Sequence, residues 1–264
     1  MARTLLLGAH HAQDDRDALG LAVDLARPLE ARIVLGGVIV PGGRDDEHAR
    51  HNLAHELEAL SASVPTDVPA ETRTLDATSV ADGLDALAVD CDADLLVLGA
   101  HHRGGVLGAL RGDIAVDVAF RGSCGVAVAH DGRTRGAPRR VGVAWDQTPA
   151  AIEALEWATQ LVERSGGELR ILRVLDPSHR EGTKPWRHDE VRLAAAQEET
   201  ALRVNAQADV LWGDAAPALT RASDDLDLLV MGSRGHGTVR RLFGSVSTRL
   251  LHDAQCSVVV VPAD

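Results

Sequence analysis

At 264 residues the chain could form one large domain or two of about 130 residues each. Hydrophobic residues make up 45% and aromatics only 2%, with no Tyr, so the apolar content is mostly Ala, Val and Leu, as expected of helices covering a parallel sheet. A formal charge of -12 excludes a general nucleic-acid binder, which needs a basic surface to displace counterions. The sole lysine, Lys184, lies in no glycine-rich loop, which excludes a Walker-type phosphate site.

In chain order, Arg3 to Ala26 reads as a buried strand, a polar turn and a helix with Leu19, Ala22, Val23 and Ala26 at helical spacing. Ala31 to Pro41 is a second buried strand. A helix around Ala49 to Ser61 leads to the alternating strand ETRTLD, and a helix over Val80 to Val89 leads to ADLLVLG, ending at Gly99. After a glycine-rich loop and another helix, GVAVAH, Gly125 to His130, gives a fifth strand. The polar segment His130 to Arg140 has linker character.

The pattern then repeats. RVGVAWD precedes a helix over Ala150 to Glu163, and ELRILRVLDP precedes a long loop holding Pro185 and Trp186. A helix over Asp189 to Ala206 follows, and ADVLWGD, LDLLVMG and CSVVVVPAD supply the remaining strands. His10 and Asp146, Val38 and Val174, and Pro41 and Pro177 share one offset. Asp94 and Asp227, Gly112 and Gly244, and Cys124 and Cys256 pair at offsets only a few residues shorter. A register this steady marks a duplicated domain, 1–132 and 138–264. The expected fold class is α/β: two tandem doubly wound domains, each a five-stranded parallel sheet of order 3-2-1-4-5 with helices on both faces.

The stretch Asp227 to Leu251 concentrates anion-binding features. A buried run ends at Gly232 in a loop rich in Gly, Ser and Arg, and Gly244 and Ser245 then open an apolar-periodic helix. Closely spaced glycines let backbone N–H groups approach phosphate oxygens, and a helix N-terminus adds unpaired donors. Arg234, Arg240, Arg241 and Arg249 surround this stretch, either as solvated charges or as an offset to the acidic surface.

With GVAWD, RVLDP, WGDAAPAL and the closing C-x-V-x-V strand, the chain resembles a tandem universal stress protein over nearly its whole length. The family pattern is Gly, two residues, Gly, nine residues, Gly, then Ser or Thr. The resemblance implies that Asp146 contacts ribose or base and that the backbone of Val174 meets adenine. It implies that Gly232, Ser233, Gly235, Gly244, Ser245 and Ser247 cradle the phosphates, with Ala144, Trp145, Met231 and Val246 completing the site. The ligand it implies is ATP, with Mg as an optional companion. Here eight residues, 236 to 243, separate the second and third glycines.

Domain one departs further. His102 occupies the second Gly position, Asp113 the Ser position, and His10 replaces the strand-end Asp. A carboxylate facing a triphosphate is unfavourable without a cation, so domain one is not expected to bind ATP in the family's usual way. His10, His11, His101 and His102 follow neighbouring strands and could converge near Asp113 as a metal set; the alternative is solvated loop histidines. His48, His51 and His55 share a helix face by spacing and read as surface display. Asp14, Asp15 and Asp17, like Asp224, Asp225 and Asp227, read as helix caps or solvated turns.

Cys91, Cys124 and Cys256 form no CxxC pair and read as small buried hydrophobes in a reducing compartment. The opening MARTLLLGAHH has too short an apolar run for a signal peptide, and no run approaches a membrane span, so a cytoplasmic protein is expected. There is no GxSxG elbow and no cysteine with a His nearby in sequence, hence no catalytic residue to assign. The apolar last strand of each half is an edge in a five-stranded sheet. The resemblance implies that such edges pair, giving an intramolecular pseudo-dimer or a homodimer. Three functions stay open: a regulatory stress-response protein binding an adenine nucleotide, a scaffold that binds none, and a weak ATPase or metal-binding protein.

Overall fold

The computed structural model describes residues 3–9, 15–42, 46–100, 114–119, 121, 123–130, 136–175, 185–233 and 244–262. The chain divides into two compact units, Met1–Ala137 and Pro138–Asp264. Each is an α/β unit built on a parallel sheet.

Unit 1 contains β1 (Thr4–Ala9), α1 (Arg16–Leu29), β2 (Arg32–Ile39), α2 (Asp46–Ser63), β3 (Ala70–Asp76), α3 (Val80–Asp90), β4 (Leu95–Gly99), helical residues 114–119 as α4, and β5 (Gly125–Ala129). The strands run β3-β2-β1-β4-β5, all parallel, with Thr4 beside Arg32 and Leu5 beside Leu95. All six residues of β1 are buried, as expected for a central strand covered on both faces. Helix α1 presents Leu19, Leu21, Ala22, Leu25 and Ala26 to the sheet. Ser79 caps α3 by accepting from the Asp82 amide at 3.1 Å, while its hydroxyl donates to the Asp82 carboxylate at 2.7 Å.

Unit 2 repeats the order with β6 (Arg140–Ala144), α5 (Pro149–Ser165), β7 (Glu168–Leu175), α6 (Pro185–Ala201), β8 (Asn205–Trp212), α7 (Ala215–Ala222), β9 (Leu228–Gly232), α8 (Ser245–Asp253) and β10 (Ser257–Val261). Its strands run β8-β7-β6-β9-β10. Thr148 caps α5, with Pro149 in its first turn. Gly166 closes the helix in the left-handed conformation at φ 73°.

Three local expectations are corrected. Pro185 and Trp186 belong to α6, because a proline lacking an N–H costs nothing at the first helical position. That helix ends at Ala201, not Ala206, and β8 takes over from Asn205. Between β8 and β9 lies α7, entered through Gly213 at φ 122°, where the sequence reading passes directly from strand to strand.

Asp227 is neither a cap nor a solvated turn residue. Its Oδ2 accepts from the amides of Arg139 at 3.0 Å and Arg140 at 2.9 Å, and its Oδ1 accepts from the Arg140 guanidinium at 2.7 Å. Its own amide donates to the Arg140 carbonyl at 2.8 Å. Unit 1 repeats the reciprocal exchange: Thr4 N–H donates to Asp94 Oδ2 at 2.7 Å and Asp94 N–H to the Thr4 carbonyl at 2.9 Å. In both units a carboxylate ahead of the fourth strand fixes the start of the first strand, and with it their shared register.

His48, His51 and His55 are exposed on α2. All three cysteines are free and buried, and burial pushes the Cys124 thiol up to about 12, so it stays protonated at neutral pH. Among the described residues no helix is long and apolar enough to cross a membrane.

Burial opposes ionisation of Asp227, but hydrogen bonds from Arg140 and the two amides, with the Arg140 charge, outweigh it and hold the carboxyl below its ordinary value. A depressed folded-state value gives stability that is present above the unfolded carboxyl value and lost as pH falls through the folded one. Asp227→Asn is therefore expected to lower unfolding free energy at pH 7 by about 2 kcal/mol. Its deficit against wild type should shrink toward pH 3; urea unfolding across that range measures both.

Candidate functional site

At the C-terminal ends of β6, β7 and β9 the strand order reverses direction, and unit 2 has an open cleft of about 650 Å3 there. Crevices at such switch points receive the loops that follow the strands, so they collect side chains from several elements.

The loop after β6 is built by its own side chains. Asp146 Oδ1 accepts from the Thr148 hydroxyl at 2.6 Å and from the Thr148 amide at 3.2 Å. Thr148 Oγ1 in turn accepts from the Ala151 amide at 3.3 Å, which caps α5. This compact turn puts Gln147 in the left-handed region at φ 70°, an uncommon conformation for a residue with a side chain. Gln147 Oε1 accepts from the Arg192 guanidinium of α6 at 3.0 Å.

Gly232 ends β9 under the first turn of α5. A Cβ there would collide with the backbone carbonyl of Ala150, so only glycine allows this helix and strand to approach so closely. Gly244 sits in extended conformation as the N-cap of α8. The first intrahelical bond runs from the Thr248 amide to the Gly244 carbonyl at 3.1 Å, so the amides of Ser245, Val246 and Ser247 precede the helical ladder. Such amides, with the positive end of the helix dipole, favour an anion.

Of the residues implied by the resemblance, Ala144, Trp145, Asp146, Val174, Met231, Gly232, Val246 and Ser247 line this one cleft. Gly244 and Ser245 begin the helix that supplies two of them. Ser233 is buried, and its amide donates to the Val261 carbonyl at 2.8 Å, which ties β9 to β10. Gly235 lies outside the described residues, as do His10, His11, His101, His102 and Asp113, the domain-one metal candidates.

The cleft also contains Thr148, Ala151, Leu172, Arg173, Ala215 and Leu219. Thr148 is legible afterwards as a strand-end D-x-T ahead of a helix, a capping signature. Ala215 and Leu219 depend on α7, whose short Ala-Pro-Ala start gives little periodic signal.

The corresponding cleft of unit 1, about 470 Å3, is more apolar, with Val38, Val80, Leu84, Leu98 and Ile114 lining it. Asp15, 1% exposed, puts a carboxylate in the same wall.

The sequence pattern of the Universal stress protein family matches twice, over residues 1–130 and 138–262. The chain belongs to the universal stress protein family. Universal stress protein Rv2624c of Mycobacterium tuberculosis is 31% identical over 136 residues, covering 48% of this chain and 50% of that protein. Universal stress protein Rv2005c of the same organism is 29% identical over 184 residues, 64% of this chain and 62% of its own length. The chain thus spans only about half to three fifths of the length of these curated relatives. In fold it is similar to a universal stress protein from Archaeoglobus fulgidus, with TM-score 0.74 at 20% identity over 98% of this chain and 96% of that one. It is also similar to the functionally unknown protein PA1789 of Pseudomonas aeruginosa, with TM-score 0.68 at 16% identity over 100% and 93% of the two chains.

In this universal stress protein, Gly232→Ala is expected to lower stability by about 2 kcal/mol through overpacking against backbone. Gly20→Ala on α1 provides the contrast: a Cβ there meets nothing within 4 Å, so the change should stabilise by about 0.5 to 1 kcal/mol through helix propensity. Urea unfolding of the two variants measures the difference, and equal effects would remove the close-approach argument.

Proposed function

We propose that unit 2 binds an adenine nucleotide, ATP with or without Mg, as a regulatory ligand in a stress-response protein. The observation carrying this reading is the convergence of Asp146, Val174, Gly232, Val246 and Ser247, far apart in sequence, on one cleft headed by the N-terminus of α8. The adenine would lie beside Val174, and the phosphates toward Gly232 and the α8 amides, with hydroxyls from Ser245 and Ser247 available. Asp146 is the one carboxylate among the described residues of the cleft and would be the residue closest in kind to a Mg ligand. Unit 1, with an apolar wall and the Asp15 carboxylate, would not take ATP in this way. Three buried free cysteines suit a reducing, cytoplasmic setting.

The reading of the chain as a scaffold that binds no nucleotide is favoured by two observations. The Ser233 amide is committed to Val261, and eight residues stand before Gly244 where the family has nine. Equilibrium titration of ATP into the purified chain separates the two. Saturable binding is expected for wild type and a loss of at least about tenfold for Gly244→Val, which puts a branched side chain at the α8 entrance. Affinity no better than that of Gly244→Val would leave the scaffold reading standing.

A further inference from the structure

Helix α2 of unit 1 is divided along its length. Leu53, Leu57 and Leu60 are buried, while His48, His51, His55 and Glu58 are exposed. The four exposed residues follow one another at steps of three, four and three. At about 3.6 residues per turn such steps make one stripe, here on the side away from the leucines. The helix is held by those leucines and by Arg50, which donates twice to the Asp76 carboxylate at the end of β3, at 2.7 and 2.6 Å. None of the three histidines has a hydrogen bond or ion pair among the described residues, so their ring nitrogens are open to an outside ligand.

Imidazole nitrogen suits the late first-row transition metals. Residues four apart on a helix hold their Cβ atoms about 5 to 6 Å apart on one face, and two histidines at that spacing serve zinc from a single helix. His51 and His55, in H-N-L-A-H, have that spacing. Glu47 and Glu58, both exposed, stand one turn before His51 and one turn after His55, and their charges favour a cation between them. Helix α6, the counterpart in unit 2, has one histidine, His188, and no such pair.

We propose that His51 and His55 form a surface site on α2 for a late first-row divalent cation, copper(II) above nickel(II) and zinc(II). Among the described residues no group of three or more His, Cys, Asp or Glu side chains could hold a metal. The site is therefore a clasp of two imidazoles that leaves the other coordination positions to water, as suits an exchangeable ion rather than a structural one. It lies on unit 1 and does not rest on the nucleotide reading of unit 2.

The probe is copper(II) alone, titrated by calorimetry into the full chain. His51→Gln and His55→Gln are each expected to weaken one equivalent at least about tenfold. Both positions are exposed, so urea unfolding midpoints should not move. The remaining histidines are common to every variant, so the difference isolates α2. His51→Gln with Ala59→His sets a new pair four residues apart, from the exposed Ala59 position to His55, and should restore the lost equivalent. His51→Gln with Ala54→His places two histidines side by side in sequence, where they do not face each other, and should not restore it. Excess magnesium(II), which prefers oxygen donors, should leave copper binding unchanged. Wild type binding no more copper(II) than the single variants, restoration by Ala54→His as well as by Ala59→His, or displacement by magnesium(II) would each overturn the proposal.

Discussion

A strand and a helix meet at Gly232 and Ala150 with no room for a β-carbon between them. Because α5 is pressed onto the end of β9 at this point, its first turn forms one wall of the cleft, while β9 delivers Met231 and Gly232 into it. The cap that starts α5 belongs to the same arrangement: Asp146 holds Thr148, Thr148 holds the Ala151 amide, and Gln147 adopts a left-handed conformation to close the turn. Close packing by glycine acts on the first turn of α5 at Ala150, and capping by a strand-end acid acts on the loop that leads into it.

A second constraint acts at the opposite end of the strands. The Asp227 exchange with Arg139 and Arg140, and its counterpart between Asp94 and Thr4, fasten the entry of each first strand to the entry of the fourth. These bonds join residues about ninety positions apart, so they fix a long-range register that hydrophobic burial alone leaves free to slip. The Arg140 side chain is half exposed while the Asp227 carboxylate is largely buried, which makes the amide bonds the more protected part of the clamp.

Most of the architecture was legible because parallel sheets write themselves plainly: runs such as TLLLGA and SVVVV are buried on both faces and separated by helical spacing. Errors fell where local signals conflict. Pro185 and Trp186 resembled a loop because proline usually ends a helix, yet here it begins one. Helix α7 has only eight residues, too few for its periodicity to stand out. At the cleft, the strand-end residues Asp146 and Val174, named through the family resemblance, are both in the lining. Arg173, on β7 beside Val174, and Ala215 and Leu219, on α7, also line it, and no spacing rule contains them. Asp227 was visible as an acid before a strand, but the two backbone amides it binds, those of Arg139 and Arg140, stand 88 and 87 positions earlier and carry no side-chain signature.

Each clamp lies wholly inside its own unit, which bears on how a duplicated gene can diverge. Interactions that share no partners contribute to stability independently. Substitutions around the cleft of unit 1, such as the buried Asp15 or the histidine in place of a strand-end aspartate, therefore leave the Asp227 register and the α5 cap untouched. The two copies differ today: α2 buries Leu53, Leu57 and Leu60 where α6 buries Leu193 and Thr200 among the described residues, and unit 1 carries His102 and Asp113 where the family's phosphate pattern has Gly and Ser or Thr. Each copy thus holds the register of its own first and fourth strands by bonds that the other copy does not share.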